Sequence, residues 1–400
     1  MMLSTPKPQN VPYSQVPLTS EQQEKKLRPF HAYRNVLIKA AGIFAIISLV
    51  GLALLVVGSN LRLKQARHQI QQDKHFAVKD ATFNDHYNSF KKFMFKFDKQ
   101  YETIEEMEVR FNNFRKTLEH VGRLNGLEKL TSTEFGVNDF SDMSDQEFQK
   151  MLMPKETKSQ RKPNFIKKMP DHVKSKMRDT AYPYPAHFDW RDKGVVTPVK
   201  AQGQCGSCWA FATAATVETS YAIGHGVLRN LSEQELLDCN LDNNACNGGD
   251  VDKAFDFVRQ HGLMLEDEYP YVAHRQNSCA LHESDNTTKL EMAYFINPEE
   301  HSIIEWLVTF GPVNVGISVP PDMKPYTGGV YRPSDWDCQF NVLGLHALNI
   351  VGYGTSEDGE KYWIVKNSWG QSWGIENGYV YFARGVNACG IEDEPIGLLA

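Results

Sequence analysis

Residues 202–211 read QGQCGSCWAF, with Cys205 and Cys208 bracketing two small residues and Trp209 directly after the second thiol. Such a pair can clip a metal, cycle as a redox couple, supply half of a structural disulfide, or hold a nucleophile beside its neighbour. The other cysteines narrow the choice. All seven (Cys205, Cys208, Cys239, Cys246, Cys279, Cys338 and Cys389) lie in the second half of the 400-residue chain. In an oxidising compartment that number makes three disulfides and leaves one thiol over, a candidate reactive group. A zinc site wants further thiols or His in matched pairs at short spacings, which Cys239 and Cys246 do not provide. A thioredoxin-like couple wants a small βαβ context, which is absent.

The charge is uneven along the chain. Residues 1–183 carry 30 Lys/Arg against 20 Asp/Glu, a net of +10, whereas residues 184–400 carry 13 against 29, a net of −16. Two pieces that attract one another at neutral pH are expected. The basic residues are interleaved with acids and apolar residues, which argues against a nucleic-acid surface. Residues 40–58, AAGIFAIISLVGLALLVVG, hold no charge. As a helix they would span roughly 28 Å, close to a bilayer core. The 39 residues before them are long for a cleaved leader. A signal anchor is therefore expected, with a cytosolic tail (1–39), a transmembrane segment (40–58), a stalk (59–82) and the cysteine-bearing half on the far side.

Phe83, Tyr87, Phe90, Phe93 and Phe97 recur at the spacing of one apolar helix face, so residues 83–126 are expected to be a packed helical pair. Residues 154–178 hold nine Lys/Arg and three Pro and read as an exposed, cleavable linker. Beyond residue 183, helical patterns come first; Ser232 and Glu235 make a capping box there. Later come short β-branched and aromatic runs separated by Gly, such as VNVGISV and ALNIVGYG. The order predicts an α+β protein with two subdomains.

CGSCW is a local signature of papain-like enzymes. It stands in series with FDWR (188–191), ELLDC, CNGG (246–249), HALNIVGYG (346–354) and KNSWG (366–370). From about residue 83 to the end, the chain resembles a papain-family cysteine protease zymogen of the cathepsin L/F kind. The resemblance implies a papain-like two-subdomain fold, with a helical left lobe and an antiparallel β-barrel-like right lobe. A helical inhibitory prodomain (83–150) and a basic activation segment (151–182) would precede the catalytic domain (183–400).

It also implies roles. Cys208 would be the nucleophile, its pKa lowered by the positive end of its helix and by an imidazolium partner. His346 would be that partner and the acid for the departing amine, and Asn367 would orient its ring. Trp369 would shield that hydrogen bond, and Gln202 would donate to the oxyanion with the Cys208 amide. Gly248 and Gly249 would be bare backbone for an extended substrate. Glu394, five residues after the last cysteine, would lie at the floor of the pocket for the residue two before the cut and accept Arg or Lys beside apolar residues. The disulfides implied are Cys205–Cys246, Cys239–Cys279 and Cys338–Cys389. No cofactor and no metal are called for.

Glu106, Arg110, Phe114, Val121 and Asn125 follow the helical spacing of the family's prosegment, with Thr117 departing from it, and GVNDFSD (136–142) matches its second motif. The expected partners are therefore protein or peptide substrates, the chain's own prosegment as inhibitor and a membrane through residues 40–58, but no nucleic acid; the chain is expected to be a monomer. Leu345 stands before His346 where many relatives have Asp. Asn230 and Asn286 begin glycan sequons, with Asn286 favoured because Asn230 abuts a helix start. A type II membrane zymogen is expected, its catalytic domain lumenal or extracellular and its mature enzyme lysosomal, endosomal or secreted. The competing expectation is a catalytically silent binding protein. Such relatives lose the nucleophile or the His, and here both are present.

Overall fold

The computed structural model describes residues 81–127, 131–155, 166–178, 183–280 and 287–400. Its first elements are α1 (Ala81–Lys96) and α2 (Ile104–Leu127). Phe90 and Phe93 of α1 are buried against Phe114 of α2, with ring centroids 5.3 and 5.0 Å apart. Phe95 falls off that helical stripe and is 92% exposed. The strand β1 (Glu134–Phe135) and the short helix α3 (Asp145–Gln149) follow. At α3 the capping box is complete: Ser144 caps Glu147, whose carboxylate accepts the Ser144 N–H at 2.8 Å.

The two-residue strand β2 (Lys167–Lys168) and the helix α4 (Asp171–Arg178) come next. The part from residue 183 opens with β3 (Phe188–Asp189) and the helices α5 (Cys208–His225), α6 (Glu233–Cys239) and α7 (Val251–His261). Small residues let α5 run through the interior: Ala210, Ala212 and Ala214 are buried beside Trp209 and Val217. At α6 only half of the expected box forms. Ser232 caps Glu235, but the Glu235 carboxylate turns to the Met264 N–H at 2.7 Å.

The strand-rich part holds β4 (Met292–Phe295), helix α8 (Glu300–Thr309), β5 (Val313–Val319), β6 (Tyr326–Gly328), β7 (Val330–Tyr331), helix α9 (Asp335–Phe340), β8 (Gly344–Thr355), β9 (Lys361–Lys366), β10 (Tyr379–Ala383) and β11 (Ile396–Leu399). Among the described residues the main sheet runs β2-β4-β11-β5-β8-β9-β10-β7, with β3 pairing β8. The long strand β8 is antiparallel to β5 and β9 on its two sides and packs on α5. That contact brings the cysteine-bearing helix against the histidine-bearing strand. The expected fold is present: a helical lobe and a largely antiparallel lobe behind a helical prodomain.

Two expectations are corrected. Among the described residues no helix is long and apolar enough to cross a membrane. Residues 40–58 lie outside the described residues, and the type II membrane placement is withdrawn. Nor is the basic segment only a linker where it is described: Lys155, Lys167, Lys168, Lys174 and Lys176 are exposed as expected, but Ile166, Val173 and Met177 are buried, as are Met151, Leu152 and Met153 just before it. Apolar residues four apart gave α4 one buried face, and composition alone had hidden it.

Candidate active site

Cys208 is the first residue of α5 and is buried, and among the described residues it is the free thiol. Backbone groups of Ala347, Trp209 and Met153 are near enough to oppose the effect of burial on the thiol. Ala347 adjoins His346 on β8, so the thiol lies against the strand that carries the imidazole. Gly206 makes the approach to this helix end possible. A Cβ there would fall 2.5 Å from the Cys246 carbonyl oxygen and 2.9 Å from that of Leu152.

The His346 ring is fixed from both sides. Nε2 lies 2.7 Å from Asn367 Oδ1, and that same oxygen accepts the Ser368 N–H at 2.8 Å. An atom accepting from a backbone amide is an oxygen, so Nε2 carries the donated proton. Neutral His346 then holds its lone pair on Nδ1, which is buried without a hydrogen-bond partner. Trp369 stacks on the ring with centroids 4.6 Å apart. Trp373 packs edge-on to Trp369 at 4.7 Å.

Gln202 is buried with its amide fully engaged. Oε1 accepts from Ser368 Oγ at 2.7 Å, while Nε2 donates to the Cys205 carbonyl at 2.8 Å and the Met151 carbonyl at 2.7 Å. Met151 belongs to the segment after the prodomain, which fills the cleft. Met153 exchanges both backbone bonds with Leu345, at 2.8 and 2.9 Å. Gly248 faces Met153 and Pro154 from the opposite wall, and Gly249 lies on the Trp209 ring. Phe148 packs edge-on to Trp369 at 5.0 Å.

Electrostatics follow from this cover. Burial pushes the Cys208 thiol up to about 12, although neighbouring amides oppose the rise. Burial also pulls His346 down to about 4, against the Asn367 hydrogen bond. The lowered thiol pKa expected from sequence is absent here because desolvation outweighs the helix end when a segment seals the site. Thiol and imidazole are both neutral.

A covered thiol on a helix packed against the strand that carries an Asn367-held imidazole, with a preceding segment plugging the cleft, matches known families. The model of the papain family of cysteine proteases covers residues 184–399, and that of the cathepsin propeptide inhibitor domain covers residues 90–148. The chain belongs to the papain family. It is 38% identical over 298 residues to a cathepsin L-like proteinase of Phaedon cochleariae, covering 73% of this chain and 87% of that one. To cathepsin F of Drosophila melanogaster it is 36% identical across 76% of this chain, which spans about half (49%) of that longer protein. The solved digestive procathepsin L2 of Tenebrio molitor superposes with a TM-score of 0.70 at 32% identity, covering 79% of this chain and all (100%) of that one. The chain is a cysteine protease in zymogen form, a hydrolase with its propeptide as intramolecular inhibitor.

In this papain-family chain the disulfides join Cys205 to Cys246, Cys239 to Cys279 and Cys338 to Cys389. Glu394 is half-buried at the edge of a cavity of about 80 Å³, walled by Val251, Phe295 and Ile396. Asp250 and Asp252 line it too, and sequence reading had passed over both. Their signal was position, since they follow directly on Gly248 and Gly249. Also missed was a buried charge network behind the site. Lys200 Nζ pairs with Glu218 at 2.9 Å and Glu233 at 2.7 Å, and Lys366, next to Asn367, lies 4.0 Å from Glu218. Burial acts to raise both acids; at Glu218 the attraction of Lys200 and Lys366 outweighs it and holds the carboxyl below the usual range, whereas Glu233 is taken up to about 8. Asn230 is exposed, and Asn286 lies outside the described residues.

Proposed function

We propose that Cys208 and His346 form the catalytic pair, with Asn367 as the positioning residue and Gln202 as an oxyanion donor. The observation that carries this is the double acceptance by Asn367 Oδ1, which leaves His346 Nδ1 as the buried base of the site. With the cleft segment gone, water re-enters and the burial penalty on both charged forms falls. The Cys208 proton passes to His346 Nδ1, and the thiolate adds to the scissile carbonyl. The oxyanion takes hydrogen bonds from Gln202 Nε2 and the Cys208 N–H, and protonated His346 delivers its proton to the leaving amine. Water, deprotonated by His346, then hydrolyses the thioester and regenerates the thiol. In the zymogen the Met151 carbonyl already holds Gln202 Nε2, so the donor is occupied as well as the cleft.

The working division is a prodomain over residues 83–150, a cleft-filling run at 151–155 and a catalytic domain over 183–400. Gly248 and Leu345 supply backbone to substrate as they face Met153 now. Glu394, with Asp250 and Asp252 beside an apolar wall, makes the second subsite accept Arg or Lys as well as apolar side chains. Exposed Asn230 can carry a glycan.

Acid release has a local cause. An ion pair across the prodomain junction, Lys324–Asp145 at 2.7 Å, puts the acid on the prosegment, opposite in sense to the net charges of the two halves. His346 supplies a driving term of the right sign, since its depressed pKa disfavours the covered state as pH falls. The test is active-site labelling with an epoxide thiol inhibitor after acid incubation. Label on Cys208, lost with turnover in Cys208→Ser, is expected; turnover persisting in Cys208→Ser overturns the assignment.

A further inference from the structure

The two family models leave residues 149–183 uncovered, and within that gap residues 166–178 are seated on the catalytic domain. Lys167 and Lys168 add a parallel strand to β4, opposite Tyr294 and Phe295. Without them β4 would be the edge of the main sheet. Just before that strand, the Ile166 N–H donates to Asp252 Oδ1 at 3.0 Å, and Ile166 lines the cavity beside Glu394. Just after it, α4 lies on α8: Val173 and Met177 join the buried cluster that contains Ile303, Ile304 and Leu307. Between segment and domain runs a groove of about 850 Å³, with Lys168, Asp171 and Lys174 on one side, Lys174 lying 3.8 Å from Asp171, and Glu305, Asp393 and Glu394 among the residues on the other.

We propose that β4, α8 and the acids at Asp252 and Glu394 make up a docking site, running outward from the second subsite, for a basic segment that is strand first and helix after; the inclusion of Asp252 and Glu394 rests on the subsite reading above. Its occupant is residues 166–178 of this chain. Backbone pairing on an open sheet edge gives affinity, the two apolar side chains on α8 give register, and opposite charge across the groove gives selectivity. A cut between residues 156 and 165 therefore leaves the segment clamped and still joined to the catalytic domain, with Ile166 closing the pocket beside Glu394. Opening that pocket takes a second cut, after the segment.

Limited trypsin digestion of the full chain carrying Cys208→Ser tests this without using the chain's own activity. Failure of the docking site and failure of the protease reading are thereby separable. Lys167, Lys168, Lys174 and Lys176 are four of the five tryptic sites within the segment, Arg178 at its end being the fifth. They should be cut at least tenfold more slowly than in the same chain with Val173→Ala and Met177→Ala. Alanine keeps the helix propensity and removes the contact. Cutting at Lys193, outside the segment, should be equal in the two chains and reports that the catalytic domain is folded in both. Equal cutting of the four segment sites in the two chains overturns the proposal.

Discussion

The covered imidazole makes a quantitative prediction about acid release. His346 sits at about 4 in the covered state, from an ordinary 6.5. A base whose pKa is depressed by burial stabilises the covered state above its ordinary pKa, and that contribution is lost as pH falls from 6.5 towards 4. At up to 1.36 kcal/mol per pH unit below 6.5, going from pH 7.4 to 5 weakens cover by about 2 kcal/mol, roughly 30-fold. Hydrogen exchange at the Met153 and Leu345 amides, which pair across the cleft at 2.8 and 2.9 Å, reads that loss directly. Full chains carrying Cys208→Ser avoid self-cleavage. Between pH 7.4 and 5, after correction for intrinsic exchange, protection of these two amides should fall about 30-fold more in Cys208→Ser than in Cys208→Ser with His346→Gln. Other acid-sensitive contacts, Lys324–Asp145 included, are common to both chains and cancel. The same pH dependence in the two would refute the reasoning.

Further outcomes follow from the same geometry. Gln202→Ala should lower kcat by about 10²–10³ with a smaller change in KM, measured on a peptide amide after prosegment removal. Phe148→Ala empties a buried site against Trp369 and should loosen the prosegment by about 3–5 kcal/mol, moving self-processing to higher pH in a time course. Lys200→Met leaves Glu218 and Glu233 buried without their shared cation and should cost about 3–5 kcal/mol, read as a lower urea midpoint. The loss should shrink from pH 8 to pH 5, because Glu233, with its pKa near 8, takes up a proton in that window. Glu394→Gln should lower kcat/KM for dipeptide substrates with Arg in the second subsite relative to Phe; an unchanged ratio removes Glu394 from the pocket.

Residues that act through local pattern could be read in advance. The thiol at the start of α5, the aromatic stripe of α1 and the strand runs around His346 are short-range features, and each carries its own spacing. The α+β class followed from them, whereas the pairing of a Cys-bearing helix with a His-bearing strand came from the resemblance to the papain family. The segment 166–178 was misread because its charge dominates its composition, while Val173 and Met177 become informative only once α8 is there to receive them. The Lys200–Glu218–Glu233 network was illegible for a similar reason, since its members come from separate elements.

By itself the sequence determined which groups are present and which of them share an element: one thiol left over from three disulfides, an imidazole within an apolar strand, and a basic half followed by an acidic one. Tertiary structure alone decided their ionisation. Cys208 and His346 are neutral because the cleft segment excludes water from both, and desolvation depends on what is packed around a group rather than on its neighbours in the chain.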